Sequence, residues 1–437
     1  MEKLLELAKK KSDKAELYSV GYTSNQVSFE NAKLQNIDSK FQSGVSLRII
    51  KDGKLGFAYT RNLINREELV QNALDSLKGG VEAEYDFPLT KEIPKLDKYD
   101  SSLEGVSSAQ MVEECARVCD ILKSKTDGEI EMNAFAYIEE VRILNTERTD
   151  VSEKGTTYTM FGGATYPASG AGIWRVFRSK KFEKMPADLV NTMIDLYKLS
   201  SKVVEPKGGK MKVMFMPNSM LTLLWRLFSG ASSKSVYEKT SPIADEVGEK
   251  VFDEKLTIFD DPLNDKYPGA RAFDDEGVAC KPLTLVENGV LKSFFYDLDY
   301  AKKLKAKSTG HGYRTTQWGG DPITLKPMPA VSHLSLKPGN KSFAKLVKSM
   351  DKGVILEYAL GAHSGNIPNG DYSVAVSPGV YVEKGEIVGR VKDGMVAGNI
   401  YETLKNVVDL SDTLYPCFTG EWMPLILCDN VSVATKK

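Results

Sequence analysis

Apolar residues recur along this chain in two kinds of pattern, and the mixture changes near residue 205. At the amino terminus, charge is interleaved with Leu4, Leu5 and Leu7, which predicts a short amphipathic helix. Residues 16–20 and 26–30 read as strands, and 44–59 as two β-rich runs joined at Asp52-Gly53. A pair of that kind predicts a tight hairpin, because both turn positions need positive φ. A helix is predicted from Arg66 to about Leu77, capped by Asn65 or a nearby polar residue. Residues 79–103 hold Gly79-Gly80, Pro88 and Pro94 without a clear period, so a surface excursion is expected there, mobile or crossing a partner. Met111, Val112, Val118 and Leu122 make an apolar stripe with Cys115 and Cys119 on a further helix. Residues 130–144 suggest two strands, 158–165 and 170–178 continue a sheet, and a helix covers about 186–200.

The polar cluster Glu205-Pro-Lys-Gly-Gly-Lys210 marks a boundary, dividing the chain into domains 1–205 and 206–437. Beyond it a helix over about 218–229 precedes many short strands, with turn signals at Asn288-Gly289, Lys384-Gly385 and Asp393-Gly394. The expected class is α+β: an amino-terminal mixed α/β-sheet domain followed by a β-rich, barrel- or sandwich-like carboxy-terminal domain.

Composition narrows the function classes. A length of 437 residues suits two domains, and 42% hydrophobic with 27% charged residues is ordinary for a globular protein. Lys and Arg number 58 against 59 Asp and Glu, so no electrostatic footprint points to nucleic acid or an anionic membrane. The most apolar stretch, 213–231, contains Pro217 and Arg226 and does not read as a membrane span. Charge in the first residues departs from a signal peptide, and cytoplasmic residence is expected. Five cysteines fit that compartment, with Cys115 and Cys119 expected as buried thiols because no histidine lies near them in sequence. Neither a nucleotide-binding Gly-x-x-x-x-Gly-Lys-Ser/Thr loop nor a Gly-x-Ser-x-Gly elbow occurs. Gly162-Gly163 and Gly170-Ala-Gly172 read as strand bends.

Candidate chemistry concentrates in the run Arg271-Ala-Phe-Asp-Asp-Glu-Gly-Val-Ala-Cys-Lys-Pro-Leu-Thr-Leu-Val-Glu-Asn-Gly-Val-Leu291. Asp274, Asp275 and Glu276 stand upstream of an Asn288-Gly289 hairpin. Three adjacent carboxylates suit a hard-metal site or an acid/base pair; on spacing alone, a solvated loop is the plainer reading. As a whole the run resembles the signature of the TldD/PmbA family of bacterial and archaeal peptidase-related proteins. The resemblance continues through Gly44-Val-Ser-Leu-Arg-Ile, Gly56-Phe-Ala-Tyr-Thr, Phe295-Tyr-Asp-Leu-Asp-Tyr-Ala, Ser308-Thr-Gly-His-Gly312, residues 362–376 and 380–388, and Ala397-Gly-Asn-Ile400. In that family, TldD-like members carry a zinc-binding helix with a His-Glu-x-x-x-His pattern and a further cysteine ligand. PmbA-like members, also called TldE, lack the pattern and pair with the first kind. Both are linked to trimming of small peptides, and members have also been labelled modulators of DNA gyrase.

An ungapped alignment anchored on Gly248-Glu-Lys-Val251 puts the family's two histidines at Leu224 and Ser229 and its glutamate at Trp225. The first histidine of this chain is His311. Leu221, Leu224, Trp225 and Phe228 recur at i, i+3, i+4 and i+7, so the helix is expected to face the core and hold no zinc. Cys417 falls near the ligand cysteine, but a lone thiolate does not retain the ion. The resemblance therefore implies a PmbA/TldE-like subunit with no catalytic residue or metal of its own. It places zinc on a TldD-like partner and makes an unfolded peptide the substrate of the pair. A homodimer is the alternative assembly; nucleic acid and membrane are not expected partners.

Contact with a peptide or partner is assigned to His311, Tyr313 and Arg314 in the loop 308–320, and to His363, Asn366 and Asp371 in a second polar loop. A metal between His311 and His363, or ordinary loop structure, are the alternatives there. Two other function classes stay open. One is a self-sufficient hydrolase using Asp274, Asp275 or Glu276 with a loop histidine; the other is a peptide-binding regulator without turnover. Under the family reading, the signature carboxylates are expected to be architectural, turning the chain into the hairpin and helping to line a shared chamber.

Overall fold

The computed structural model describes residues 1–316 and 319–435. Its amino-terminal part is one antiparallel sheet of six strands in the order β3-β2-β1-β4-β5-β6. These are β1 (Lys14–Glu30), β2 (Lys33–Lys51), β3 (Lys54–Thr60), β4 (Glu129–Asn145), β5 (Asp150–Thr165) and β6 (Gly172–Ser179). β1 and β4 each run unbroken for 17 residues where the local pattern suggested pairs of short strands. The two pair with each other and each has a second neighbour, so ladders on both sides carry the backbone through weakly patterned residues. The β2–β3 hairpin turns at Asp52 and Gly53, with φ of 49° and 69°.

Helix α1 spans Glu2–Lys9, α2 Arg66–Ser76, α3 Ser108–Lys125 and α4 Ala187–Leu199. The Asn65 side chain caps α2 by accepting from the Glu68 amide. Ser107 and Gln110 close a capping box at the start of α3. Met111, Cys115, Val118, Cys119 and Leu122 are buried in a core shared with β1, β4, β5 and α4.

Residues 80–100 hold almost no regular structure, yet they are a packed strap rather than a mobile excursion. Ala83, Tyr85 and Phe87 alternate inward and are buried with Ile50 and Leu55. Further on, the Thr90 hydroxyl donates to the Gly277 carbonyl at 2.6 Å. The strap crosses the chain's own sheet and reaches the signature loop.

The carboxy-terminal part is a larger, mixed sheet that curls into a half barrel. Strands β7 (Val203–Val204) and β8 (Gly209–Phe215) enter it, β8 pairing in parallel with Lys352–Leu356 and antiparallel with Ile426–Ala434. One face of this sheet presents Met214, Ile355, Val380 and Leu427 to the core that holds α3 and α4. The other face packs on helix α5 (Pro217–Ala231) and the signature region. Asn288 and Gly289, with φ of 48° and 80°, join Leu283–Glu287 to Val290–Leu291 as expected. Asp393-Gly394 is a turn but not a hairpin: the strands on either side, Glu386–Val391 and Met395–Asn399, are not neighbours in the sheet. Among the described residues, no helix is long and apolar enough to cross a membrane.

Candidate functional site

Asp274, Asp275 and Glu276 are not in a solvated loop; all three are buried, two of them linked through arginines to the first sheet. Arg48 on β2 makes a two-pronged contact with Glu16 on β1, at 2.9 and 2.8 Å, and reaches Glu276 at 3.0 Å. The second Glu276 oxygen accepts from the Leu298 amide at 2.7 Å. Asp274 accepts from the amides of Glu276, Val278 and Gly312. Asp275 takes Arg271 at 2.5 Å and the Arg314 amide at 2.7 Å, while Arg271 also approaches Glu153 on β5 at 3.1 Å. Gly312 is required by this closeness, since a Cβ there would stand 2.3 Å from a Glu276 oxygen.

Burial raises the pKa of Asp274, helped by the neighbouring Glu276 charge and opposed by the amides it accepts from. Burial also raises Glu276, with Arg48 pulling the other way. Asp297, which caps the short helix Leu298–Lys303, is pushed up to about 8 by burial and then by Glu276. This arrangement is a joint. Glu276 through Arg48, and Asp275 through Arg271 and Glu153, tie the signature loop to the first sheet, while Asp274 accepts amides of its own loop and of Gly312.

Helix α5 does not present the expected face. Met220, Leu223, Leu224, Leu227 and Ala231 are buried, whereas Leu221, Trp225 and Phe228 are only half-buried. The helix is apolar around most of its circumference, so packing against the curled sheet selects the buried side. Cys417 is buried against its first turn, with Sγ 3.4 Å from the Pro217 carbonyl, and Asn218 accepts from the Phe418 amide at 3.0 Å. Leu224 and Ser229 lie seven and twelve residues beyond Pro217, roughly 10 and 18 Å along the helix axis. The three positions aligned with zinc ligands are therefore strung along α5. Among the described residues, no group of three or more His, Cys, Asp or Glu side chains is placed to hold a metal ion.

The six loop residues separate into two groups. His311, Tyr313 and Arg314 are interior, because the 308–314 segment is sewn to the signature loop through Gly312. His311 Nδ1 lies 2.9 Å from the Thr309 carbonyl and Nε2 3.2 Å from Asp260. The Tyr313 hydroxyl meets Cys280 and Ser332, and Arg314 stacks over Tyr18 while donating to Leu325. Gln317 and Trp318 of the same loop lie outside the described residues. His363, Asn366 and Asp371 are exposed. Their loop is anchored by Arg226 of α5, which donates to the carbonyls of Ala362, Ser364 and Asp371.

A cleft opens where β6 and α4 face the first turn of α5. Two cavities of about 280 and 340 Å³ share Trp174, Asn218 and Glu357. Phe161, Tyr358 and Phe418 wall one of them, and Arg175 pairs with the buried Glu357 at 2.8 Å where they meet. Apolar walls around one fixed ion pair suit an extended ligand with apolar or aromatic side chains. Trp174 and Glu357 carry no motif in the sequence; the stretch 170–178 around Trp174 reads only as a strand, and it is β6.

Residues 208–435 match the PmbA/TldA metallopeptidase C-terminal domain and residues 15–77 match PmbA/TldA metallopeptidase domain 1. A metalloprotease of Methanothermobacter thermautotrophicus is 26% identical over 398 residues, 86% of this chain and 83% of that protein. TldE from Thermococcus kodakarensis has the same fold, with a TM-score of 0.90 at 24% identity over 99% of both chains. A Thermotoga maritima protein described as a candidate modulator of a DNA gyrase superposes with a TM-score of 0.86 at 25% identity, again over 99% of both chains.

Proposed function

The chain belongs to the PmbA/TldD metallopeptidase family, and from that premise we propose that it is the zinc-free, TldE-like subunit of a cytoplasmic two-subunit metallopeptidase. Its partner is a TldD-like chain that carries the zinc, and its work is to shape the chamber through which small unfolded peptides reach that zinc for trimming. The observation that carries this reading is α5, where Leu224, Trp225 and Ser229 stand at the aligned ligand and base positions of a chain whose first histidine is His311. A catalytic zinc needs about three protein ligands and one open position. The aromatic cleft beside α5 and the exposed loop of His363, Asn366 and Asp371 are the surfaces proposed to meet peptide or partner. His311, Tyr313 and Arg314, buried among Asp260, Cys280, Ser332, Glu16 and Tyr18, are not part of that surface.

The test is to purify the chain alone and together with a zinc-helix homologue, then measure bound zinc and cleavage of an unstructured peptide. Zinc and cleavage are expected only in the mixture. One zinc per chain together with cleavage by this chain alone would overturn the proposal. A self-sufficient hydrolase built on Asp274, Asp275 and Glu276 is disfavoured by the ion pairs and amide bonds that already occupy those carboxylates.

A further inference from the structure

Near the end of β6, beside the aromatic cleft, Arg178 is a cation without a counter-charge. Opposite residues of an antiparallel pair share a face of the sheet. Arg178 stands opposite Thr159 of β5, and Thr159 opposite Phe135 of β4. Phe161, opposite Val176, is the diagonal neighbour of Arg178 on that face, about 7–8 Å away for such a pair. The Phe161 ring stacks on Phe135 with centres 5.7 Å apart and meets the edge of Phe418 at 5.5 Å. Phe161 and Phe418 also wall the cleft. The 417–421 loop lies against the guanidinium, since a Cβ on Gly420 would stand 2.8 Å from Arg178 Nη1.

Arginines in such surroundings are normally paired, and Arg48, Arg175 and Arg271 each hold a carboxylate. Among the described residues Arg178 makes no ion pair or hydrogen bond, and its Nε is shut off from solvent without a partner. The terminal nitrogens are not enclosed in that way, and the residue as a whole is half-buried. Glu421 is the carboxylate that acts on it most strongly, yet the two are not bridged. Instead Glu421 accepts from the Thr419 hydroxyl, and burial raises its own pKa. A partly desolvated guanidinium left in this state is costly, and an anionic ligand would offset the cost.

We propose that Arg178 receives a carboxylate flanked by an aromatic or large apolar side chain, as at the free carboxy terminus of a peptide. The planar guanidinium matches a carboxylate with two parallel hydrogen bonds. Phe135, Phe161 and Phe418 supply rings for the neighbouring side chain, and the diagonal spacing lets one terminal residue touch both. The inference rests on the reading of the cleft as a peptide surface, and adds which end of the peptide is held and by what.

Calorimetric titration of the full chain with acetyl-Ala-Ala-Phe and with its carboxamide tests it. The acid is expected to bind about tenfold more tightly than the amide, a gap that narrows between about 50 and about 500 mM salt. Arg178→Gln should bring the acid down to the affinity of the amide without lowering the melting temperature, because no native bond is lost. Phe161→Ala should weaken both ligands alike. Acetyl-Ala-Phe-Asp-amide, which moves the charge to a side chain, is expected to bind no better than the amide. Equal binding of acid and amide by the wild type, or of neither up to about 5 mM, would sink the idea. So would an acid preference that survives Arg178→Gln, or a variant that melts well below the wild type, which would reveal a structural partner. An Asp peptide as tight as the acid would overturn the chain-end assignment. Zinc and cleavage enter none of these readouts, so this site and the two-subunit reading fail separately.

Discussion

Arg48 sits in the middle of an apolar strand, between Leu47 and Ile49, and is fully buried with Glu16 and Glu276 as its counter-charges. Removing one member of such a set strands the others without solvent. Arg48→Met is expected to cost about 3–5 kcal/mol in urea denaturation; a loss below about 1 kcal/mol would mean the joint is not held by charge. Asp297 offers a second test at this scale. Its folded pKa, about 8, lies above the unfolded carboxylate value. The stability it contributes is therefore full below about pH 4 and is lost as pH rises through about 8. The melting temperature of the wild type is expected to fall between about pH 4 and 8, the interval between the unfolded and folded pKa values. Asp297→Asn keeps the helix cap and should flatten that fall. An identical profile in the variant would refute the assignment. The three signature carboxylates were visible as a run, but their burial was not, because the cations that make it tolerable come from Arg48 and from Arg271 held by β5.

Among the elements, α5 and the 361–370 loop depend on one another. The Arg226 guanidinium is bonded to four backbone carbonyls, three of them in or next to the loop and one on its own helix. Arg226→Leu leaves those carbonyls without a donor and is expected to destabilise the protein by about 2–4 kcal/mol. Hydrogen exchange should quicken first in 361–371 and little in β1 and β4; uniform quickening would argue against a local tether. The helices were legible from local signals: Asn65 announces α2 within four residues, and the stripe of Met111, Cys115, Val118, Cys119 and Leu122 marks α3. The strap 80–100 was misjudged because its inward alternation at Ala83, Tyr85 and Phe87 is brief and set among charges. Likewise the buried side of α5 could not be read from a helix apolar on most sides.

For the whole molecule, the amino- and carboxy-terminal parts share more than a linker. Arg48–Glu276, Arg271–Glu153, Arg175–Glu357 and Thr90–Gly277 all cross between parts of the chain far apart in sequence. One core draws α3 and α4 together with Met214, Ile355 and Leu427 of the second sheet. We propose that the division at 205/206 does not separate folding units; β7 (Val203–Val204), before it, already pairs within the second sheet. Thermal unfolding followed by far-UV circular dichroism and tryptophan fluorescence is then expected to give one coincident transition. Two separated transitions, or a fragment 206–437 that folds cooperatively alone, would show otherwise.

From sequence alone, the α+β class, most helices, the Asn65 cap, the Asp52-Gly53 and Asn288-Gly289 hairpins, and the family followed, since each rests on local spacing or ordered motifs. The missing histidines of α5 were equally legible, because an absent residue type needs no fold to be seen. Tertiary structure decided which way each of these faced. It turned Asp274, Asp275, Glu276, His311 and Arg314 inward, left His363 and Asp371 outside, and assembled the cleft from Trp174, Asn218, Glu357 and Phe418. Those choices depend on contacts between residues tens to hundreds of positions apart, where desolvation and charge pairing set the outcome and local periodicity carries no record of it.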